Sequence, residues 1–544
     1  MDSTKLFTSD ATFWLQSRLP SSSLSWLSAL TIYDVLKIAG TLILARTILV
    51  SIYRLYFHPL AHVPGPTLAA ISPFYELYYD VFLGGEMTNH CMKVLHPKYG
   101  PLVRTSPSKV RSNDPESYHV IHAMGYKTER DPNFAKVWNL HRSIFGMTDA
   151  KLHKSRKGLF GGLFGRQSLA GFEGAVQGKC KVLVDEIKRR CDSAVKKEQT
   201  WEWVNVRNAT CALTMDVMME FLADGIGSYN LLESPNFYGD IIESIDLTTQ
   251  LPHLFRLVTP IAMFLHHYCP KSLKYTLAPY LIQYENLENR VREGVDKYKE
   301  AMESGKAKPT QYLVAHRELL PKFDINAEDY SIEAMVMFAA GVNTTAYTIQ
   351  YTLYLLAKDK VIQQQVYEEL RRLFPEKVSG QDTTDSFDFR RLESSKLLFG
   401  VIQEGIRLGD PLPGVLPRVT TSHGLNVNNT YLPPNTVIDT TCTQMHQHPA
   451  IFPDPKKFDP TRYSGSPERE RLSKYIVSFG GGSYTCVGKN LAMMELFVTI
   501  SRLVWEFELE VGEGLKGGWE AKDRWVAAKV GGDAVLGFRK RVHA

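Results

Sequence analysis

The chain has 544 residues, 44% of them hydrophobic and 22% charged, with a net charge of +5. That composition supplies a large buried core, and so mild a charge on so long a chain does not point to nucleic acid. Seven cysteines without paired spacing exclude a disulfide framework and fit a reducing compartment.

Near the N-terminus, Val35 to Phe57 reads "VLKIAGTLILARTILVSIYRLYF". A bilayer core takes roughly 20 residues of helix, so the stretch is long enough to span. Lys37 can snorkel at one end, and Arg46 is the costly charge near the middle. Tyr53, Tyr56 and Phe57 suit an interfacial belt. No cleavage pattern suggests a secreted leader. Pro59, Pro64 and Pro66 then make a stiff connector. The expected division is an N-terminal tail and membrane anchor over 1–57, a proline-rich connector over 58–66 and one large domain over 67–544. No repeat or flexible linker interrupts that last part.

Amphipathic helical stretches such as "YLIQYENLENRVREGVDKYKEAM" and "VIQQQVYEELRRLF" outnumber strand-like ones. A mostly α fold is expected, with a small β portion near the N-terminal part and the C-terminal tail. "KLHKSRKGLFGGLF" is a helical segment with a basic face, ordinarily just solvated. The apolar run "MVMFAAGVNTTAYTIQYTLYLL" reads as a core helix, yet Asn343, Thr344 and Thr345 interrupt it. Buried and unpaired, such groups cost free energy. "EGIR" puts Glu404 and Arg407 on one helix face, a spacing that most often marks a surface pair. "FDPTRY" follows at 458–463.

The stretch "SFGGGSYTCVGKNLA" places Cys486 among glycines at the start of a helix. A buried structural thiol is the plain alternative. A phosphate loop fails, because five residues separate Gly482 from Gly488 and Asn490 stands where a hydroxyl is needed. Free backbone N–H groups and the helix dipole favour a thiolate there. One thiolate is a poor zinc site, since zinc takes four ligands, but a good axial ligand for haem iron.

Phe479, Gly482, Cys486 and Gly488 match the haem-binding signature of the cytochrome P-450 family, and Tyr484 stands where the family has Arg. The chain resembles that family throughout: Glu404 and Arg407 match its ExxR pair, Arg462 its P-E-R-F segment, and Ala340, Gly341, Thr344 and Thr345 its central helix motif. Asn343 replaces the acid before the threonine. The N-terminal part, "YRLYFHPLAHVPGPTLAAISPF" onward, looks like fungal members similar to trichodiene oxygenase.

The resemblance implies a cytochrome P-450 fold in a single haem domain, with haem b bound and Cys486 as axial ligand. It implies a buried network of Glu404, Arg407 and Arg462. It implies propionate contacts from Arg418, His153, Lys157 and Tyr484, and a groove opened by Ala340 and Gly341, with Thr344 and Asn343 serving proton delivery during oxygen activation. It implies electrons from NADPH through a reductase docking near Lys154 and Lys489, and an endoplasmic reticulum anchor with the domain in the cytosol. Asn208, Asn343 and Asn428 fit the glycosylation pattern but would then stay unmodified. The function implied is a monooxygenase acting on an apolar small molecule, a terpenoid or polyketide intermediate of fungal secondary metabolism. An isomerase or dehydratase that does not use O2, and a non-catalytic haem protein, stay open as alternatives.

Overall fold

The computed structural model describes residues 31–137, 142–223, 228–243, 269–277, parts of 282–304, 327–379 and 387–542. The chain divides into two compact units, Met1–His62 and Val63–Ala544. In the first, Thr31 caps the helix Ile32–Ile52: its hydroxyl accepts the Asp34 N–H at 3.3 Å, and the Asp34 carboxylate accepts the Thr31 N–H at 3.1 Å. This reciprocal box starts the helix three residues before Val35. With the wider turn Tyr53–Phe57 it forms 26 residues of apolar helix, long enough to cross a membrane. None of the residues in Ile32–Ile52 is buried.

The second unit is mostly helical. Its central helix, Ala327–Lys358, packs against Val206–Ala223, Lys396–Gly409 and Lys489–Glu506. Phe338, Val342, Ala346, Ile349, Leu353 and Leu356 recur every three or four residues and are all buried, forming one continuous stripe. Gly341 faces the helix Val206–Ala223. A Cβ there would lie 2.6 Å from Met218 Sδ, so a larger residue would have to displace the Met218 side chain.

The expectation of strands early and late in the chain was too narrow. A five-stranded sheet interleaves early strands with short ones from the middle, in the order Leu102–Ser106, Lys109–Ser112, Val437–Asp439, Arg418–Thr420, Thr128–Arg130. Three-residue strands carry too few alternations to be read from sequence. Buried charges pin the parallel pair: Asp439 binds Arg111 at 2.6 Å and Lys109 at 2.5 Å, and Lys109 also binds Glu76 at 2.6 Å. At the other end, Val535–Lys540 pairs with Phe507–Val511 and Glu202–Asn205.

His96 joins the short helix His96–Tyr99 to the Cys442–His446 helix. Its Nδ1 lies 3.0 Å from Gly100 O and its Nε2 2.9 Å from Gln444 Nε2. The carbonyl needs a donor and the amide nitrogen needs an acceptor, so the neutral ring with Nδ1–H satisfies both. Burial pushes its pKa down to about 4, against about 6.5 in an unfolded chain. The unfolded state therefore binds the proton first. The stabilisation is complete above about pH 6.5 and is lost as pH falls toward about 4. His96→Gln lowers the unfolding midpoint at neutral pH but flattens its decline across that window, read by thermal unfolding at a series of pH values.

Candidate active site

The glycine loop has a steric reason. Gly480 and Gly482 have φ of +70° and +59°, and a Cβ at Gly482 would lie 1.9 Å from His122 O. The loop then returns on itself, with the Cys486 N–H donating to Phe479 O at 2.8 Å. The following helix, Lys489–Glu506, has no side-chain cap. The N–H groups of Gly488 and Lys489 point instead at the Cys486 sulfur. The surrounding chain desolvates this thiol and pushes its pKa up although the residue keeps accessible surface, while the two N–H groups and the charges of Lys157 and Lys489 oppose the rise. Cys486 is exposed, whereas five of the other six cysteines are buried and Cys269 is half-buried.

A cationic cluster lies beside the loop. Arg130 and Arg418 are directly opposite each other on antiparallel strands. Like charges so placed repel. Arg418 is buried, and its Nε and Nη1 have no hydrogen-bond partner. Burial lowers the pKa of Arg130 to about 9 and of Arg418 to about 10, and the Arg418 charge adds to the fall in Arg130, yet both stay charged near pH 7. The ring of Tyr484 packs against both guanidinium groups, 4.5 Å from Arg130 and 4.1 Å from Arg418. Its hydroxyl is buried without a partner. Lys157 Nζ donates to Ser483 O at 2.7 Å, and Ser483 Oγ accepts the Gly125 N–H at 3.0 Å.

His153 does not join this cluster as a cation. Burial, reinforced by Arg130, Lys157 and Arg418, pushes its pKa down to about 3. Its Nδ1 lies 2.9 Å from the Tyr126 hydroxyl. The expected share of positive charge at His153 passes to Arg130, which sequence reading missed. "KTERDPNF" reads as a solvated loop, and only the cross-strand register brings Arg130 to Arg418.

The charge network lies under the helix Lys396–Gly409. Glu404 and Arg407 are fully buried and joined by two bonds of 2.6 and 2.8 Å. Arg407 also donates to the carbonyls of His446 at 2.9 Å, Lys457 at 3.1 Å and Pro455. Glu404 accepts the Asp459 N–H at 3.1 Å, and Arg462 Nε stands 3.8 Å away. His446 extends the assembly: its Nε2 accepts the N–H of Val477, just before the glycine loop, at 3.1 Å.

On the central helix Ala340 is exposed and Thr344, one turn later, is half-buried, in a stretch otherwise mostly buried. The Thr344 hydroxyl donates to Ala340 O at 2.7 Å. Asn343 is buried, which removes it as a glycosylation acceptor. The segment 230–299, expected to line a substrate pocket, lies largely outside the described residues.

A family model described as cytochrome P-450 matches residues 72–517. Conidiogenone synthase of Penicillium rubens is 30% identical over 85% of this chain and 89% of its own length. The cytochrome P-450 monooxygenase TRI4 of Fusarium sporotrichioides is 28% identical over 90% and 92%. A tryptophan 6-hydroxylase of Fusarium equiseti is 28% identical over 88% and 92%.

The buried pair yields a test. Removing one member of a buried ion pair costs about 3–5 kcal/mol. Glu404→Ala should therefore lower the unfolding midpoint sharply. The double variant Glu404→Leu with Arg407→Met should recover little, because the carbonyls of His446, Pro455 and Lys457 still lose their donor. Thermal unfolding of the three chains checks this. Full recovery in the double variant would reduce the network to a simple ion pair.

Proposed function

The chain belongs to the cytochrome P-450 family, an oxidoreductase family, and from that premise we propose that it inserts oxygen from O2 into an apolar terpenoid or polyketide intermediate of fungal secondary metabolism. The carrying observation is Cys486, exposed and held at a helix N-terminus with two N–H groups on its sulfur. The donor set fits haem b. Cys486 would hold its iron, and Arg418, whose Nε and Nη1 lack a partner, would receive its carboxylates together with Arg130 opposite it. Once bound, haem with a thiolate ligand supplies the O–O cleavage chemistry.

The remaining work belongs to the chain. Thr344 donates its proton to Ala340 O, so its oxygen is left to accept from a water or substrate hydroxyl. Asn343 carries no acidic proton, and the relay runs through water held at Thr344. The exposed Lys154 and Lys489 offer positive charge to an NADPH-dependent reductase. The apolar helix Ile32–Phe57 anchors the chain in the endoplasmic reticulum membrane, with the catalytic unit on the cytosolic side. Asn343 also favours a second reading, an isomerase or dehydratase that does not use O2. The relatives' names span a synthase and a tryptophan hydroxylase, so the substrate class rests on the resemblance of the N-terminal part to fungal members similar to trichodiene oxygenase.

Three tests follow. Hydrogen bonds to charged groups contribute roughly 1.5–3 kcal/mol, so Arg130→Ala and Arg418→Ala should each speed haem loss to an apo-acceptor protein by about tenfold to a hundredfold. Tyr484→Phe keeps the ring between the guanidinium groups and should change the rate only modestly. Cys486→Ser should abolish the thiolate-type absorption band of the reduced carbon monoxide complex. In the third test, Thr344→Ala raises peroxide release and lowers product per NADPH consumed. Unchanged coupling would transfer support to the oxygen-independent reading.

A further inference from the structure

Asp410 stands where a side chain is costly. It ends the helix Lys396–Gly409 in the left-handed region, with φ of 46° and ψ of 68°. Glycine is the easy residue there, since a Cβ crowds the backbone. Aspartate tolerates the conformation better than most residues, but strain of this kind points to a task for the side chain. The carboxylate is buried, and both its oxygens face one neighbouring helix, Cys442–His446. Oδ2 accepts the Thr443 hydroxyl. Oδ1 lies 3.4 Å from His446 Nδ1. Thr443 and His446 are three residues apart, so one helix face presents both.

The far side of the imidazole fixes where its proton sits. His446 Nε2 lies 3.1 Å from the Val477 nitrogen, a backbone N–H that can only donate. Nε2 is therefore the acceptor, and the neutral ring carries its proton on Nδ1, facing Asp410. The ring is fully buried, and among the described residues neither Nδ1 nor Oδ1 has a partner elsewhere. A carboxylate beside Nδ1–H orients the ring and makes Nε2 the better acceptor. Val477 is held from three sides. Its N–H goes to His446, its carbonyl accepts the Cys442 thiol at 3.6 Å, and its side chain packs with Tyr118, Cys442 and Met445. The same carbonyl accepts the Gly480 N–H at 2.8 Å, which closes the first turn of the glycine loop. Phe479 O, inside that turn, accepts the Cys486 N–H.

We propose that Asp410 and His446 are positioning residues for Cys486. Asp410 holds the imidazole in its Nδ1–H form, Nε2 holds Val477, and Val477 sets the turn that delivers the sulfur. A displacement at His446 reaches Cys486 through two backbone bonds, Gly480 to Val477 and Cys486 to Phe479. This deepens the reading of Cys486 as the axial ligand of haem and rests on it, and the experiment separates the two.

Hydrogen exchange over residues 477–486 is followed by mass spectrometry in the full holo chain. Asp410→Ala and His446→Asn should speed it by about twofold to tenfold, the worth of one neutral hydrogen bond. Asparagine reaches the place of Nδ1 but not that of Nε2, whereas the oxygen of glutamine reaches Nε2. His446→Gln should therefore restore slow exchange, and Asp410→Asn, which keeps an acceptor for Nδ1–H, should stay near the parent. The strand Val535–Lys540 should exchange at the parent rate in all four. In the reduced carbon monoxide complex, the thiolate-type band should decay several-fold faster in Asp410→Ala and His446→Asn than in His446→Gln. Parent exchange in both disruptive variants overturns the proposal, and so does equal acceleration in the strand, which is general loosening. Exchange in His446→Gln as fast as in His446→Asn overturns it too, because Nε2 would not be what holds Val477. Faster loop exchange with an undiminished band breaks the link to Cys486. Should Asp410→Ala not fold, the two His446 variants decide the matter. Loss of the band in Cys486→Ser, with parent exchange in the disruptive variants, ends the positioning role and leaves the axial reading standing. A band that survives Cys486→Ser overturns the axial reading itself.

Discussion

One buried ion pair organises much of the catalytic unit. Glu404 and Arg407 are fully enclosed, and a charge so placed must have all its hydrogen-bonding capacity met. The required partners come from elsewhere in the chain: carbonyls at His446, Pro455 and Lys457, and the Asp459 N–H. A helix therefore dictates the path of the irregular segment 446–463. His446, fixed in part by that path, accepts the Val477 N–H and sets where the glycine loop begins. The position of Cys486 is thus inherited from a charge pair that touches neither the sulfur nor its loop.

The second constraint is repulsive. Arg130 and Arg418 face each other across two strands, and Tyr484 stands between them where the related family carries another cation. A third guanidinium there would add to the repulsion. An aromatic ring presents its electron-rich face to each cation and so eases it. The substitution at 484 and the arginine at 130 read as one change, in which charge has moved from the loop to the sheet. His153 accords with this, since burial, reinforced by the surrounding cations, keeps its ring neutral.

The legible parts of the site were those in which local spacing carries the chemistry. Cys486 among glycines announces itself within a few positions, while Glu404 with Arg407 three residues on took its meaning only from the family resemblance. Arg130 was not legible, because its meaning comes from a strand far along the chain. The neutrality of His153 was hidden because burial is not a property of a heptad or a motif. The fold class followed from amphipathic helices, while the strands at 418–439 were too short to show a period.

The strand Thr128–Arg130 lies at the open edge of its sheet, and its pairing sets two positive charges face to face. Whatever neutralises those charges raises the stability of that edge, and a ligand that binds only the folded chain shifts folding by mass action. Edges held by few contacts open first, and opened segments are where proteases act. The supply of a dianionic cofactor would then govern how long each molecule survives as well as whether it works. Abundance in the cell would track cofactor synthesis without any dedicated regulator.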